Sequence, residues 1–222
     1  MIRTIIICEG ETEQEFCKTV LYPHFLNIAI HIQAPLIKKS MGGIVNWFEL
    51  KKQINMHLKS DKSAYVTLLI DYYGIQEKHE FPNWEEAEKE PNKNRRMSLL
   101  ENAMVEEIDS TIRNRFIPYI QLHEFEGLLF IDKQIFYDQI PTDELIGITE
   151  LNNVFANFNN PEMINNNRTN SPSHRLAKII NGYNKIVYGN ILAEAIGLSK
   201  IRNKCPRFND WISSLENLKT IS

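Results

Sequence analysis

Thr4 to Cys8 reads TIIIC, an apolar, β-branched run without polar alternation, and Tyr65 to Ile70 reads YVTLLI in the same way. Strands that are apolar at successive positions are covered on both faces, the habit of parallel sheets in α/β folds. Each run stops at an acid, Glu9-Gly10 after the first and Asp71 after the second. Phe116 to Leu122 is a third such run, stopping at His123-Glu124, and His31 to Ile37 supplies a further strand. Helical patterns lie between them. One runs from about Glu13 toward Pro23, with Thr12 and Glu15 at capping-box spacing; another, after Gly42-Gly43, carries Trp47, Leu50, Ile54 and Leu58; a third covers Ser98 to Arg115. Strands separated by helices predict βαβ units, and in such sheets ligands sit beyond the carboxyl ends of the strands. If the strands are neighbours, Glu9, Asp71 and Glu124 meet at one edge.

With 222 residues, 43% of them hydrophobic and 24% charged, the chain is large enough for one α/β domain plus an appendage. No apolar run approaches the ~20 residues that span a bilayer, and no signal peptide is recognisable, so a cytoplasmic, membrane-free protein is expected. Three cysteines without CxxC spacing fit reduced thiols and exclude a structural zinc site. Charge is divided unevenly: residues 1–165 hold 16 Lys and Arg against 25 Asp and Glu, whereas residues 166–222 hold 9 against 3. Two stretches read as irregular. Gln76 to Arg96 is charged, interrupted by Pro82 and Pro91, and suits a lid or binding loop. Asn152 to Asn170 contains nine asparagines. Ser171 then suits an N-cap with Pro172 at the first helical position.

Three clusters could carry chemistry. In Glu9-Gly10-Glu11-Thr12-Glu13 the acids at positions 9 and 13 are one helical turn apart and can share a hard cation, although a helix N-terminus also favours acids through its dipole. Asp71-Tyr72-Tyr73-Gly74 places an acid after a buried strand, where it must be solvated, paired or metal-bound, or serve as a turn residue. His123-Glu124-Phe125-Glu126-Gly127 offers a general acid/base or structural histidine beside two carboxylates. Together with the basic C-terminal segment these suggest a divalent-metal phosphoryl-transfer site. There His174, Arg175 and Lys178 lie near a helix N-terminus that favours phosphate, Lys185 and Arg202 extend the surface, and Tyr183 and Trp211 could stack on bases.

The run IIICEGETEQEF, with Asp71 after a second strand, resembles the TOPRIM domain of OLD-type nucleases, topoisomerases and primases. EGETE, DYYG, LHEFEGLLF, SPSHRL and KCPRFNDWISSL resemble more closely an uncharacterised bacterial family of TOPRIM-like proteins, domain-of-unknown-function family 4276. The resemblance implies a TOPRIM-like, Rossmann-like α/β fold with a largely parallel sheet flanked by helices and a helical C-terminal extension. It divides the chain into a TOPRIM-like domain over 1–150, an Asn-rich linker or irregular loop over 151–170 and a basic helical segment over 171–222. It implies Glu9 as metal ligand or general acid/base, Glu13 as the second acid and Asp71 as the first aspartate of the DxD motif. Tyr73 stands where the second aspartate belongs, so Glu124, or else Glu126, is expected to replace it.

The function implied is a Mg²⁺- or Mn²⁺-dependent nuclease acting on RNA, tRNA among it, or on DNA. Glu9, Asp71 and His123 would be catalytic; Glu9, Glu13, Asp71, Glu124 and Glu126 would hold metal; His174, Arg175, Lys178 and Lys185 would bind nucleic acid. Related TOPRIM proteins accompany AAA/ABC-type ATPases in anti-phage defence, and because no Walker A motif is present the ATPase would act in trans. Oligomeric state is left open. The competing reading is a catalytically inactive TOPRIM scaffold that binds or regulates the ATPase, which the missing second aspartate favours. A primase or topoisomerase fragment fits poorly, for lack of room and of a zinc module.

Overall fold

The structure is a computed structural model that describes residues 1–38, 43–165 and 168–219. Gly42, Asn166, Asn167 and the last three residues of the basic segment lie outside the described residues. In chain order the elements are β1 (Ile2–Cys8), α1 (Glu11–Phe16), a π-turn (Cys17–Leu21), α2 (Tyr22–Asn27), β2 (Ile30–Gln33), α3 (Trp47–Ser60) and β3 (Ala64–Asp71). Then come α4 (Trp84–Lys89), α5 (Lys93–Glu106), β4 (Phe116–Ile117), β5 (Ile120–Gln121), a 3₁₀ turn (Phe125–Leu129), α6 (Lys133–Gln139) and α7 (Ile148–Asn157). The chain closes with α8 (Pro172–Ile179), α9 (Lys185–Ile196), α10 (Leu198–Lys204) and α11 (Pro206–Glu216). Among the described residues no helix is long and apolar enough to cross a membrane.

The sheet is parallel throughout, in the order β2-β1-β3-β4, with β5 also paired to β3. This is the α/β architecture the strand pattern predicts. Alternation sorts the strands' side chains between two cores. Ile5 and Ile7 of β1, with Val66, Leu68 and Ile70 of β3, face α3 and α5. Ile6, Cys8 and Leu69 face the other side, where residues of α1, α2 and α6 to α11 form one continuous cluster. The C-terminal helices therefore share a core with the sheet. Trp211, read with Tyr183 as a stacking partner for bases, is buried and not free for that role. The Trp211 ring stacks on Tyr119 at 4.5 Å and its indole N–H donates to Thr67 Oγ1 at 2.9 Å, while Tyr183 stacks on Tyr188 at 6.1 Å.

Several local expectations are corrected. The first helix starts at Glu11 behind Gly10, so Thr12 is a buried helical residue and not a cap. It continues past Pro23, because the π-turn resets the hydrogen-bond register and leaves the proline in the first turn of α2, where a missing N–H costs little. The third strand is split into β4 and β5 at Pro118-Tyr119, since proline supplies no ladder donor. Gln76 to Arg96 is not an open loop. Pro82 and Pro91 stand just ahead of α4 and α5, marking where helices begin, and Phe81 and Ala87 are buried in the core. Within 151–170, the chain to Asn157 completes α7, with Leu151 and Val154 buried.

Candidate functional site

The ends of β1, β3 and β5 lie side by side, and hydrogen bonds tie them through their acids. Glu9 Oε2 accepts the Asp71 N–H at 2.9 Å, and Asp71 Oδ1 accepts the Phe125 N–H at 2.9 Å. The strand-end rule thus brings Glu9 and Asp71 together. The third acid of the cluster comes from the 3₁₀ turn: Glu126 is fully buried, while Glu124, close enough to raise its pKa, is engaged by another element. Glu124 Oε2 accepts the Ser173 N–H at 2.8 Å, so it caps α8; Ser171, in the N-cap position, bonds Ser173 and His174 side chains and not the helix backbone. Position 124 is free to cap because the 3₁₀ turn begins after it, whereas Glu126 lies within the turn.

Glu13, buried on α1, completes the acids, and α9 supplies the cation. Lys185 Nζ lies 3.0 Å from Glu126 Oε1 and 3.9 Å from Glu13 Oε1. Its approach depends on close contact between α1 and α9: a Cβ on Gly189 would meet Thr12 Cγ2 at 3.0 Å. On the far side, a Cβ on Gly74 would lie 2.9 Å from Glu9 Oε1, so glycine there leaves room for the carboxylate. A cleft of about 720 Å³ opens beside the cluster on its Glu9 and Glu13 side, lined also by Glu11, Leu36, Lys185 and Ile186.

Crowded acids disfavour their charged forms. Burial, and then Glu13 and Glu126, push Glu9 up to about 7 against the opposing Asp71 N–H bond and Lys185. Glu126 is likewise pushed up to about 7, first by burial and then by Glu124 and Glu13, with Lys185 opposing. Burial, Glu13 and Glu9 drive Asp71 well above the carboxylate range. Burial would lower the Lys185 ammonium, but Glu126, Asp71 and Glu13 outweigh it and raise its pKa.

The donor set fits a hard divalent ion in its chemistry: all the acids offer oxygen, and both Glu126 oxygens are buried without a well-aligned hydrogen bond, the Lys185 contact being a poorly angled ion pair. Among the described residues no three His, Cys, Asp or Glu side chains already surround a common point as metal donors.

His123 stands apart from the acids, in a left-handed conformation (φ 67°) that turns the chain between β5 and the 3₁₀ turn. Its carbonyl accepts the Tyr73 N–H at 2.9 Å; its Nε2 lies 3.0 Å from Lys93 Nζ and its Nδ1 3.1 Å from the side-chain amide of Asn165. Burial, then Lys93 and Arg96, push its pKa down to about 3, so it is a neutral ring. A neutral ring accepts at one nitrogen only, so with the ammonium donating into Nε2 the proton sits on Nδ1 and the Asn165 amide turns its oxygen, not its NH₂, toward it. Tyr73, in place of a second aspartate, sends its hydroxyl toward the side-chain amide of Asn165, 3.4 Å away.

The remaining cations are dispersed. Arg175 is buried, donates to Glu150 and the Asn170 carbonyl, and lies over Phe158, so it holds α8 in place. Lys178 bonds Asn170 and Thr169, His174 is exposed beside Ser171, and Arg202 pairs with Glu216. Lys185 is the member of the nucleic-acid set that reaches the acids. Its role as their counter-ion left no local trace; Gly189 one helical turn on was the nearest signal, a small residue on a helix otherwise rich in large ones.

A family described as a domain of unknown function (DUF4276) matches residues 8–216, as the resemblance in EGETE, LHEFEGLLF and SPSHRL implies. No curated protein matches the chain. Among solved structures it is similar to the C-terminal region of the Burkholderia pseudomallei OLD protein, at 17% identity and a TM-score of 0.42, over 93% of this chain and 97% of that one. The chain belongs to the DUF4276 family.

Proposed function

We propose that this DUF4276 protein is a divalent-metal-dependent nuclease that hydrolyses phosphodiesters of RNA, tRNA among it, or of DNA, as the effector of an anti-phage system with an AAA/ABC-type ATPase in trans. The observation that carries the reading is the cluster of buried Glu13, Asp71 and Glu126 with partly buried Glu9 at the strand ends, both Glu126 oxygens lacking aligned donors. Crowding that raises the pKa values of Glu9, Asp71 and Glu126 weakens the fold, and such a cluster beside a cleft points to work done there. Glu9, Glu13, Asp71 and Glu126 would hold Mg²⁺ or Mn²⁺, which when bound supplies charge neutralisation at the phosphate and a more acidic water.

The chain's own groups do the positioning. Glu9 and Asp71 are held by the bonds linking three strand ends, Lys185 offsets part of the cluster's charge, and Glu124 fixes α8 so that the 3₁₀ turn stays in place. His123, neutral and turned from the acids, suits a binding role better than that of a proton donor.

The test is incubation of labelled tRNA, single-stranded RNA and plasmid DNA with wild type and Asp71→Asn in Mg²⁺ or Mn²⁺, with and without any AAA/ABC-type ATPase encoded beside it. Cleavage lost in the variant is expected. A thermal shift with Mn²⁺ alone gives a second readout: wild type should melt higher and Asp71→Asn should not. Absence of both effects removes the nuclease.

A second reading, an inactive scaffold that binds the ATPase, is favoured by the built-in cation and by the exposed Ile186, Val187 and Ile191 on the same helix. It requires ATPase binding to survive when Glu9 and Asp71 are both neutralised.

A further inference from the structure

A negative cluster alone repels the polyanion it is meant to process, so a nuclease of this design needs cations placed beside the acids. Lys93, the first residue of α5, is a candidate, one loop away from the acids. Among the described residues no carboxylate pairs with it; its polar contact is the Nε2 of His123 at 3.0 Å. The acids nearby in sequence are engaged elsewhere. Glu88 bonds Tyr72 and Arg96, and Glu90 Oε1 accepts the Asn92 N–H at 2.8 Å. Arg96 is itself fixed, donating to the Glu88 and Glu90 carbonyls and to the Tyr72 hydroxyl, and these bonds hold the turn that presents Lys93.

A carboxylate against Lys93 would cancel its charge. The neutral imidazole takes one ammonium proton, aims the group, and leaves two donors and the full charge free. Burial and Arg96 hold the Lys93 pKa below its ordinary value, a cost that an arriving anion would offset. The Tyr73 hydroxyl and the Asn165 amide stand on the other side of the same ring. This group is tied to the acids through one loop: the His123 carbonyl holds the Tyr73 N–H, and Asp71 holds the Phe125 N–H.

We infer that Lys93, together with the Tyr73 hydroxyl and Asn165 amide around His123, is a subsite for a backbone phosphate of single-stranded nucleic acid, seating the strand beside the carboxylate cluster. The subsite rests on the reading of nucleic acid as substrate but not on catalysis. Position 73 then exchanges a metal-binding carboxylate for a neutral donor facing the strand.

The experiment is equilibrium binding of fluorescein-labelled dT12 and U12 in EDTA across a salt series, with wild type, Lys93→Met and Lys93→Arg, folding being checked by circular dichroism. Lys93→Met is expected to weaken binding roughly tenfold at low salt, the loss of one charged hydrogen-bonded contact, and to reduce the slope of log affinity against log salt by about 0.7. Lys93→Arg should retain most of both, and the preferred probe identifies the sugar. Wild type binding neither probe, Lys93→Met matching wild type, or Lys93→Arg failing as badly as Lys93→Met would overturn the subsite. Because no metal is present, Lys93-dependent binding by a protein that cuts nothing would sink the nuclease and leave this inference standing.

Discussion

The ammonium of Lys185, at the start of α9, lies 3.0 Å from a carboxylate oxygen of Glu126 that is wholly shielded from water. Removing one member of such a pair leaves the other buried and uncompensated. Lys185→Met is expected to lower stability by about 1–3 kcal/mol, less than for a fully buried pair because the lysine is half exposed. Urea titrations of Lys185→Met and Lys185→Met/Glu126→Gln provide the check: the double variant should recover most of the loss. A single variant as stable as wild type would mean that the pair contributes nothing.

Glu124 closes the N-terminus of α8 from a distant loop, its Oε2 accepting the Ser173 N–H. Glu124→Ala should cost about 1 kcal/mol, the usual value of a cap. Ser171→Ala, at the formal N-cap position without a backbone bond, should change stability by less than about 0.5 kcal/mol. Equal losses in the two variants would return the cap to Ser171.

Gly189 lets α9 approach α1 so closely that an added Cβ meets the Thr12 methyl. Gly189→Val is expected to destabilise by about 1–3 kcal/mol through overpacking, and Thr12→Ser should relieve part of it by deleting that methyl. Additive effects in a double-mutant cycle would show that the two residues do not meet.

Glu216 near the end of α11 accepts hydrogen bonds from Arg202 at 2.9 Å and from His24 at 2.6 Å. Burial alone would raise its pKa, but these partners outweigh it and hold the group below its ordinary 4.5. A lowered folded-state pKa contributes stability that is complete above pH 4.5 and is lost as pH falls through the lower value. Glu216→Gln should therefore be less stable than wild type by about 1 kcal/mol at pH 6 and converge with it toward about pH 3. Chemical denaturation at both pH values would expose a constant gap if the charge were not responsible.

Much of the frame could be read in one dimension. TIIIC and YVTLLI are apolar at neighbouring positions, and that pattern suits only a strand buried on two faces. Glu9 and Asp71 follow these runs directly, so parallel pairing of β1 with β3 had to place them at the same edge. Proline was ambiguous. Pro172 opens a helix as its position after Ser171 implies, and Pro82 and Pro91 also precede helices although a charged, proline-interrupted stretch resembles a loop. Pro23 is carried inside a continuous helix by a π-turn whose widened register has no sequence signature.

The site divided in the same way. Local order along the chain determined the strand-end acids Glu9 and Asp71 and the acid-rich start of α1, because alternation and helical spacing act over a few residues. Tertiary structure decided how Glu124 and Glu126 joined them, since a single 3₁₀ turn engages one as the cap of α8 and buries the other among the acids. It also decided the cations. Arg175 was taken by Glu150, Lys185 was delivered to the acids, and Lys93 was left on a neutral histidine. A charge's partner is set by which helices pack across the sheet, and that packing follows from apolar burial in which the charges themselves have little part.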